Sequence, residues 1–281
     1  MNKKTHLGNI IVTLLGTGTP NLENERWGPS TLIQAGKHTL LIDCGRGTTL
    51  RIKQAGINPN QVTNVFLTHL HSDHTVGLPD LWLTGWQLGR MEPLKLWGPK
   101  GTRHMANHIK EAYSVDTEMR QLPPQNLPPT PADFTATDIR EEEISLTDDL
   151  RVTSFTVDHG SYKPALGLRV DYKDSTVIHS GDTRYSTNLI RNSEGADVLI
   201  HNAWVAPEGS AALELVASPE EAARAFNIVE PRLAVISHYN QEEELSERIK
   251  RQYTGPLLIG KDLTSITITP DDIKIKTINN L

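Results

Sequence analysis

The sequence predicts an α/β protein in which two mixed β-sheets, flanked by helices, pack face to face as an αββα sandwich. Three observations support this fold class. Apolar runs of strand length recur in both halves of the chain, and helical patterns lie between them. Several runs end at a histidine or an aspartate, which would gather polar side chains along one sheet edge. The proline-rich stretch 121–131 is predicted to be an extended connector, so we expect one domain over 1–281 whose halves join there.

Three strands open the first half, and strands and helices then alternate. The helix over 46–55 is expected to end at Gly56, with Pro59 beyond it. A helix over 102–113 carries His104 and His108 one turn apart, but it lacks the glutamate of a zinc-protease helix, so a solvated face is expected. The other predicted elements are strands at 10–15, 31–35, 38–42, 65–67 and 94–97 and a helix over 78–88.

The second half repeats the strand theme. Its clearest helix start has Ser218 as N-cap, Pro219 at the first position and Glu221 three residues after the cap, which is the pattern of a capping box. The predicted strands are 134–139, 150–157, 165–172, 176–179, 198–200 and 233–236.

The composition excludes some classes of protein. Hydrophobic residues make up 37% of the chain and charged residues 22%, and no apolar run approaches the ~20 residues of a membrane span. Cys44 is the only cysteine, so an internal disulfide is impossible, and we expect a cytoplasmic protein. The net charge of −6 offers no general attraction to a nucleic acid.

The densest group of potential metal ligands follows the strand at 65–67. His69, His71, Asp73 and His74 lie within six residues. Because neighbouring strand residues point to opposite sides, the first two could face one ion and the last two another. Imidazole and carboxylate ligands suit Zn²⁺, and a catalytic zinc keeps one position open for water.

Three more candidates lie far along the chain. His159, Asp182 and His238 each close an apolar, strand-like run. A side chain rooted at a strand end is held rigidly and can still reach a shared centre. Together with the first group, these residues predict one metal site.

In this order, the motifs resemble the metallo-β-lactamase superfamily of dinuclear hydrolases over nearly the whole chain. The resemblance implies the same αββα fold, two zinc ions per chain and a homodimer. It assigns His69, His71 and His159 to the first ion, Asp73, His74 and His238 to the second, and Asp182 to a bridge between them. Such a site would use a metal-bridging hydroxide for hydrolysis, and Asp73 has a further expected catalytic role, orienting that hydroxide or accepting its proton.

Four segments look like the branch that contains ribonuclease Z and a group of arylsulfatases: 16–20, 43–48, 180–184 and 196–201. Three departures lie near catalysis. Arg46 and Asn202 stand where ribonuclease Z has glutamates, and Ala217 stands where it has the histidine thought to protonate the leaving group. Residues 160–181 also leave no room for its tRNA-gripping arm.

A phenolate leaves without a general acid more readily than a ribose alkoxide does, so an activated aryl-type ester of sulfate or phosphate is the favoured substrate. His201 could replace the missing acid, or it could be a core residue. Core packing is the favoured interpretation of Trp82 and Trp86, and the alternative is that they form, with Trp27, an aromatic wall for the aryl group. The alternatives are a tRNA 3′-processing endoribonuclease and a non-catalytic metal-binding scaffold.

Overall fold

The computed structural model describes residues 8–278, in which two β-sheets pack face to face with helices on their outer sides. This confirms the predicted fold class. The strands are β1 Ile10–Gly16, β2 Ser30–Ala35, β3 His38–Ile42, β4 Asn64–Phe66, β5 Leu94–Gly98, β6 Phe134–Asp138, β7 Glu142–Thr147, β8 Leu150–Thr156, β9 Leu166–Tyr172, β10 Ser175–His179, β11 Val198–Ala203, β12 Leu233–Tyr239, β13 Leu257–Ile259, β14 Thr264–Ile268 and β15 Ile273–Thr277. The helices are α1 Thr48–Gln54, α2 Ser72–Thr75, α3 Leu78–Gln87, α4 Thr102–Ala112, α5 Ser114–Gln121, α6 Thr187–Asn192, α7 Pro219–Val229 and α8 Glu242–Lys250.

The first sheet has the strand order β15-β14-β1-β2-β3-β4-β5-β6, and the second has β13-β12-β11-β10-β9-β8-β7. The strands β3 to β6 run parallel, as do β10 to β13. Parallel neighbours bring their carboxyl ends to the same edge of a sheet, and this is the edge at which the candidate site lies.

Strand alternation explains why the core strands contain nearly continuous apolar runs. In β3, Leu40 and Ile42 belong to the core between the sheets, whereas Leu41 belongs to the core beneath the outer helices. In the second sheet, Ile200 faces the other sheet, and its neighbour Leu199 packs with Phe226 of α7. Both faces of each central strand are covered, so every position in it favours an apolar residue.

The start of α7 has the predicted capping box. The Ser218 hydroxyl accepts a hydrogen bond from Glu221 N at 3.1 Å, and the Glu221 carboxylate accepts one from Ser218 N at 3.0 Å. These bonds satisfy two backbone groups that the first helical turn leaves free.

The chain passes from the first sheet to the second between Asp138 and Glu142, later than the expected junction at 121–131. The proline-rich stretch precedes β6, which is still a strand of the first sheet. After β13, the chain returns to the first sheet, where β14 pairs with β1. In the part that the structure describes, no helix is both long and apolar enough to cross a membrane.

Candidate metal centre

The seven predicted ligand residues lie together at one edge of the sandwich. His69 and His71 follow β4, and the short helix α2 carries Asp73 and His74. The other three are at or just beyond the ends of strands in the second sheet: His159 after β8, Asp182 after β10 and His238 near the end of β12. Both sheets therefore contribute to one cluster.

Within this cluster, the side chains form groups that could each hold a metal ion. In the first, His71 Nδ1 lies 2.9 Å from His69 Nε2 and 3.4 Å from His159 Nε2. In the second, Asp73 Oδ2 lies 3.5 Å from His74 Nε2 and 3.9 Å from His238 Nε2.

Asp182 lies between the two groups. Its Oδ2 atom is 3.0 Å from His238 Nε2, 3.6 Å from His74 Nε2 and 3.9 Å from His69 Nε2. This single carboxylate oxygen thus faces histidines of both groups, as the bridging role would require.

The buried polar atoms of the cluster fit a cation. Asp73 Oδ2 and His74 Nε2 are buried and have no hydrogen-bond partner among residues 8–278. Leaving such atoms unpaired is unfavourable by about 1–3 kcal/mol each. A metal ion between them would remove that penalty.

The pKa shifts of the cluster residues also fit a bound cation. Burial, the largest influence, lowers the pKa of His74, but the carboxylates of Asp182 and Asp43 outweigh it and hold this pKa well above its usual value. For Asp182, burial raises the pKa, yet His238 and His74 outweigh it and hold the pKa well below normal. Burial also lowers the pKa of His69 well below its usual range. The cluster therefore combines an ionised carboxylate at Asp182 with a neutral imidazole at His69, and it stabilises positive charge at His74.

Contacts on the far side of three rings hold Nε2 toward the cluster. Nδ1 lies 2.8 Å from Asp43 Oδ2 in His74, 2.7 Å from the Leu215 carbonyl oxygen in His159 and 2.7 Å from the Gly18 carbonyl oxygen in His238. Such contacts fix the tautomer and orientation of a ligating imidazole.

Asp43 is one of the residues near the site that sequence reasoning missed. Its carboxylate also accepts hydrogen bonds from Thr68 N at 2.8 Å and Thr68 Oγ1 at 2.9 Å, so it links β3 to the segment that carries His69. Asp43 and His238 both adopt left-handed backbone, with φ of 58° and 53°, a conformation that is uncommon for residues other than glycine. A signal was present, since Asp43 directly follows the apolar strand β3 just as the predicted ligands follow theirs.

A second carboxylate, Asp262, organises the loop between β1 and β2. It accepts hydrogen bonds from Thr17 N and Trp27 N, each at 2.8 Å, and from Arg51 Nη2 at 2.6 Å. This loop presents the Gly18 carbonyl to His238. Asp262 therefore supports the cluster from a position well beyond the last predicted ligand.

The structure confirms core packing for Trp82 and Trp86, so the alternative of an aromatic wall at the site is wrong for these two residues. Both rings are fully buried in the core under the outer helices, where Trp82 packs on Phe134 at 4.7 Å between centroids and Trp86 Nε1 donates to the Pro128 carbonyl. Trp27 packs against the α1 N-terminus at Gly47. The histidines of α4, His104 and His108, are exposed as predicted.

The aromatic ring beside the cluster is Tyr162. Its centroid lies 4.2 Å from that of His71 and 5.6 Å from that of His159, and the side chain is 49% exposed. No sequence pattern singles out Tyr162, because only the fold of the loop after His159 brings it there.

His201 is enclosed instead of open to a substrate. It is 1% exposed, its Nδ1 lies 2.7 Å from the Asn202 carbonyl oxygen, and its Nε2 has no hydrogen-bond partner in the described chain. Burial lowers the pKa of His201 to about 4, so the ring is neutral near neutral pH. Asn202 accepts a hydrogen bond from Thr183 N at 3.2 Å.

Comparison with known proteins agrees with this architecture. The family model described as Anti-Pycsar protein Apyc1 matches residues 10–245. Ribonuclease Z of Mycobacterium sp. (strain KMS) is 34% identical over 277 residues, covering 93% of this chain and 97% of that protein. Human tRNase Z, short form, superposes with a TM-score of 0.72 at 20% identity, covering 92% of this chain and 98% of that one. A diphosphatase from the PhnP family gives 0.69 at 17% identity, covering 92% and 97%.

Proposed function

Because the chain belongs to the family of Anti-Pycsar protein Apyc1, among the metal-dependent hydrolases of the metallo-β-lactamase fold, we propose that it hydrolyses small phosphodiesters at a dinuclear metal site. The observation that carries the proposal is the pair of three-residue groups with Asp182 between them. A phosphodiester is preferred to a sulfate ester because the relative at 34% identity is named as a ribonuclease, and RNA is a phosphodiester.

In this proposal, His69, His71 and His159 hold one metal ion and Asp73, His74 and His238 hold the other. Zinc suits this set of imidazole and carboxylate donors, and two such ions would supply the Lewis acidity that activates water and offsets charge on phosphoryl oxygens. A scaffold without catalysis is disfavoured because the similar proteins are named as a ribonuclease and a diphosphatase.

Asp73 is the proposed proton acceptor. Its Oδ2 atom is directed at the proposed second metal ion, so the other oxygen of the carboxylate would orient the attacking water and take up its proton.

The segment before α7 contains no histidine that could protonate the leaving group. Residues 215–218 are Leu, Val, Ala and Ser, and the enclosed position of His201 argues against the catalytic role predicted for it. Suitable substrates are therefore diesters whose leaving group departs easily, as an aryl oxide does, or whose ring is strained, as in a 3′,5′-cyclic mononucleotide. Tyr162 is placed to pack against an aryl group or a base at the mouth of the site.

Cleavage of precursor tRNA is the second candidate, because the relative cited above is named Ribonuclease Z. Against it, the strands β9 and β10 take up 12 of the residues between His159 and Asp182, seven and five respectively, which leaves short connections and no arm. The net charge of −6 also provides no general attraction to a polyanion.

The test compares kcat/KM for four substrates at one metal and salt concentration, because polyanion binding depends steeply on salt. They are bis-p-nitrophenyl phosphate, a 3′,5′-cyclic mononucleotide, p-nitrophenyl sulfate and precursor tRNA. We expect turnover of at least one small phosphodiester to exceed that of the sulfate and the tRNA. Site-specific tRNA cleavage beside negligible hydrolysis of both small phosphodiesters would overturn the proposal.

Two further properties complete the proposal. We expect two zinc ions per chain, which elemental analysis measures, and a homodimer, which light scattering during size-exclusion chromatography measures.

A further inference from the structure

A pocket of about 490 Å³ opens beside the metal centre, and three cationic side chains line it: Lys100, Arg140 and Lys163. Its floor is apolar, since Ile139 and Ala165 are only 3% and 2% exposed. This volume is within the usual range for small-molecule sites, about 300–1,000 Å³.

The pocket and the metal cluster lie on the same edge of the fold. Lys100 follows β5 and Arg140 follows β6, which are the next parallel strands after the one that leads to His69. The loop after His159 forms a shared wall, because Tyr162 contacts the cluster while the next residue, Lys163, lines the pocket.

None of the three cations has a carboxylate oxygen within 4.0 Å in the described chain, whose ion pairs involve other residues. Of the two adjacent acidic side chains, Asp138 bonds outside the pocket, whereas Glu141 bonds to Thr156 in the pocket wall and interacts with the charge of Arg140. Asp138 accepts a hydrogen bond from Arg103 N at 2.8 Å, and Glu141 accepts bonds from Thr156 and from Asn188 Nδ2.

Lys100, Arg140 and Lys163 are exposed and bring three like charges to one pocket, where the Glu141 carboxylate offsets only part of the charge of Arg140. The arrangement is conspicuous in a chain of net charge −6. A phosphate group would reverse the balance, because lysine and arginine make charge-assisted hydrogen bonds to it and arginine can do so through two N–H groups.

We propose that the pocket of Lys100, Arg140 and Lys163 binds a phosphate group. This phosphate group has two possible sources. It is either a second phosphate on a substrate whose diester group lies at the metal centre, which rests on the proposed function, or it belongs to a separate ligand. None of the residues that line the pocket belongs to the metal cluster, but the chain on both sides of His159 borders the pocket.

The binding experiment titrates the metal-loaded protein with inorganic phosphate by calorimetry. We expect wild type to show two binding events, one at the metal centre and one in the pocket. The variant Lys100→Gln/Arg140→Gln/Lys163→Gln should lose the second or weaken it by at least about tenfold, the equivalent of one charge-assisted hydrogen bond. The control variant Lys53→Gln/Lys95→Gln/Lys250→Gln removes the same charge from exposed positions outside the pocket and should keep both events.

The substrate experiment distinguishes the two sources. It compares KM for thymidine 5′-(p-nitrophenyl phosphate) with and without a 3′-phosphate. If the second phosphate belongs to the substrate, the 3′-phosphate lowers KM about tenfold in wild type and has no effect in the pocket variant, while kcat/KM for the simpler diester is unchanged. If phosphate binds in the pocket but the 3′-phosphate has no effect on KM, the ligand is a separate one.

Equal numbers and affinities of phosphate sites in wild type and the pocket variant would overturn the proposal. If the triple variant fails to fold, the single variant Lys163→Gln, which lies on an exposed loop, replaces it in the phosphate titration. If no phosphodiester is hydrolysed at all, the proposed function fails, yet the phosphate titration still decides whether the pocket binds phosphate.

Discussion

Asp43→Asn should weaken metal binding without removing any predicted ligand. The native carboxylate accepts hydrogen bonds from His74 Nδ1, Thr68 N and Thr68 Oγ1 at 2.8–2.9 Å, and Asp43 is only 1% exposed. An amide of the same shape has one acceptor oxygen, so at least one charge-assisted bond is lost, a loss of about 1.5–3 kcal/mol. Contacts behind metal-ligating histidines are independently worth about 10–100-fold in metal affinity, or about 1.4–2.8 kcal/mol. The two estimates agree.

Competition with a chromophoric chelator measures the metal affinity of this variant. Asp197→Asn is the matched control, because Asp197 is also buried and accepts hydrogen bonds from Thr176 N at 2.7 Å and Arg232 Nη1 at 2.8 Å, far from the cluster. The control should lose stability and keep its metal affinity. Wild-type affinity in Asp43→Asn, or an equal loss in the control, would refute the reasoning.

Four more outcomes are expected. Removing metal with a chelator should abolish hydrolysis and lower Tm, and added zinc should restore both; elemental analysis that stays near one ion per chain in excess zinc would contradict the dinuclear site. Asp182→Ala should abolish hydrolysis of any substrate, whereas Asp158→Ala, which loses an ion pair with Arg184, should retain most of it; equal losses would mean that the carboxylates are misassigned. Trp82→Ala should destabilise the protein by about 3–5 kcal/mol in urea unfolding, while Trp82→Phe should leave KM unchanged; a large rise in KM would place this ring at the substrate after all. A hydrogen bond from Arg248 lowers the pKa of Glu220, so this pair stabilises the fold above the unfolded-state pKa of the carboxyl and ceases to do so as pH falls through the lower folded-state pKa. The unfolding free energies of wild type and Glu220→Gln should therefore differ by up to about 1 kcal/mol at neutral pH and should become equal in acid. A difference that stays constant with pH would contradict this prediction.

The elements that the sequence predicted well are those covered on both faces. β3 and β12 consist mainly of apolar residues because helices and the opposite sheet both contact them. The strands that were missed lie at or near sheet edges. β7 and β15 have mostly exposed side chains and are rich in glutamate or lysine, so they contain no apolar run that would predict a strand. Their pairing partners, not their own composition, make them strands.

The candidate site was predictable to the extent that its residues close apolar runs. That rule found all seven clustered side chains, whose roles as ligands stay predictions. It could not show which groups hold those side chains from behind, because the Gly18 and Leu215 carbonyls have no sequence signature. Nor could spacing decide which way a helix face points, and this is why Trp82 and Trp86 allowed two interpretations until their burial was known.

The position of Asp262 has a consequence for any shortened form of the protein. A chain cut after α8 would retain every clustered histidine and aspartate, because His238 is the last of them. It would nevertheless lose the β14 partner of β1 and the carboxylate that fastens the loop carrying Gly18. Such a fragment has all seven candidate ligand residues but lacks the contacts that hold the loop whose Gly18 carbonyl oxygen lies against His238. The minimal functional unit is therefore longer than the segment that spans its reactive groups.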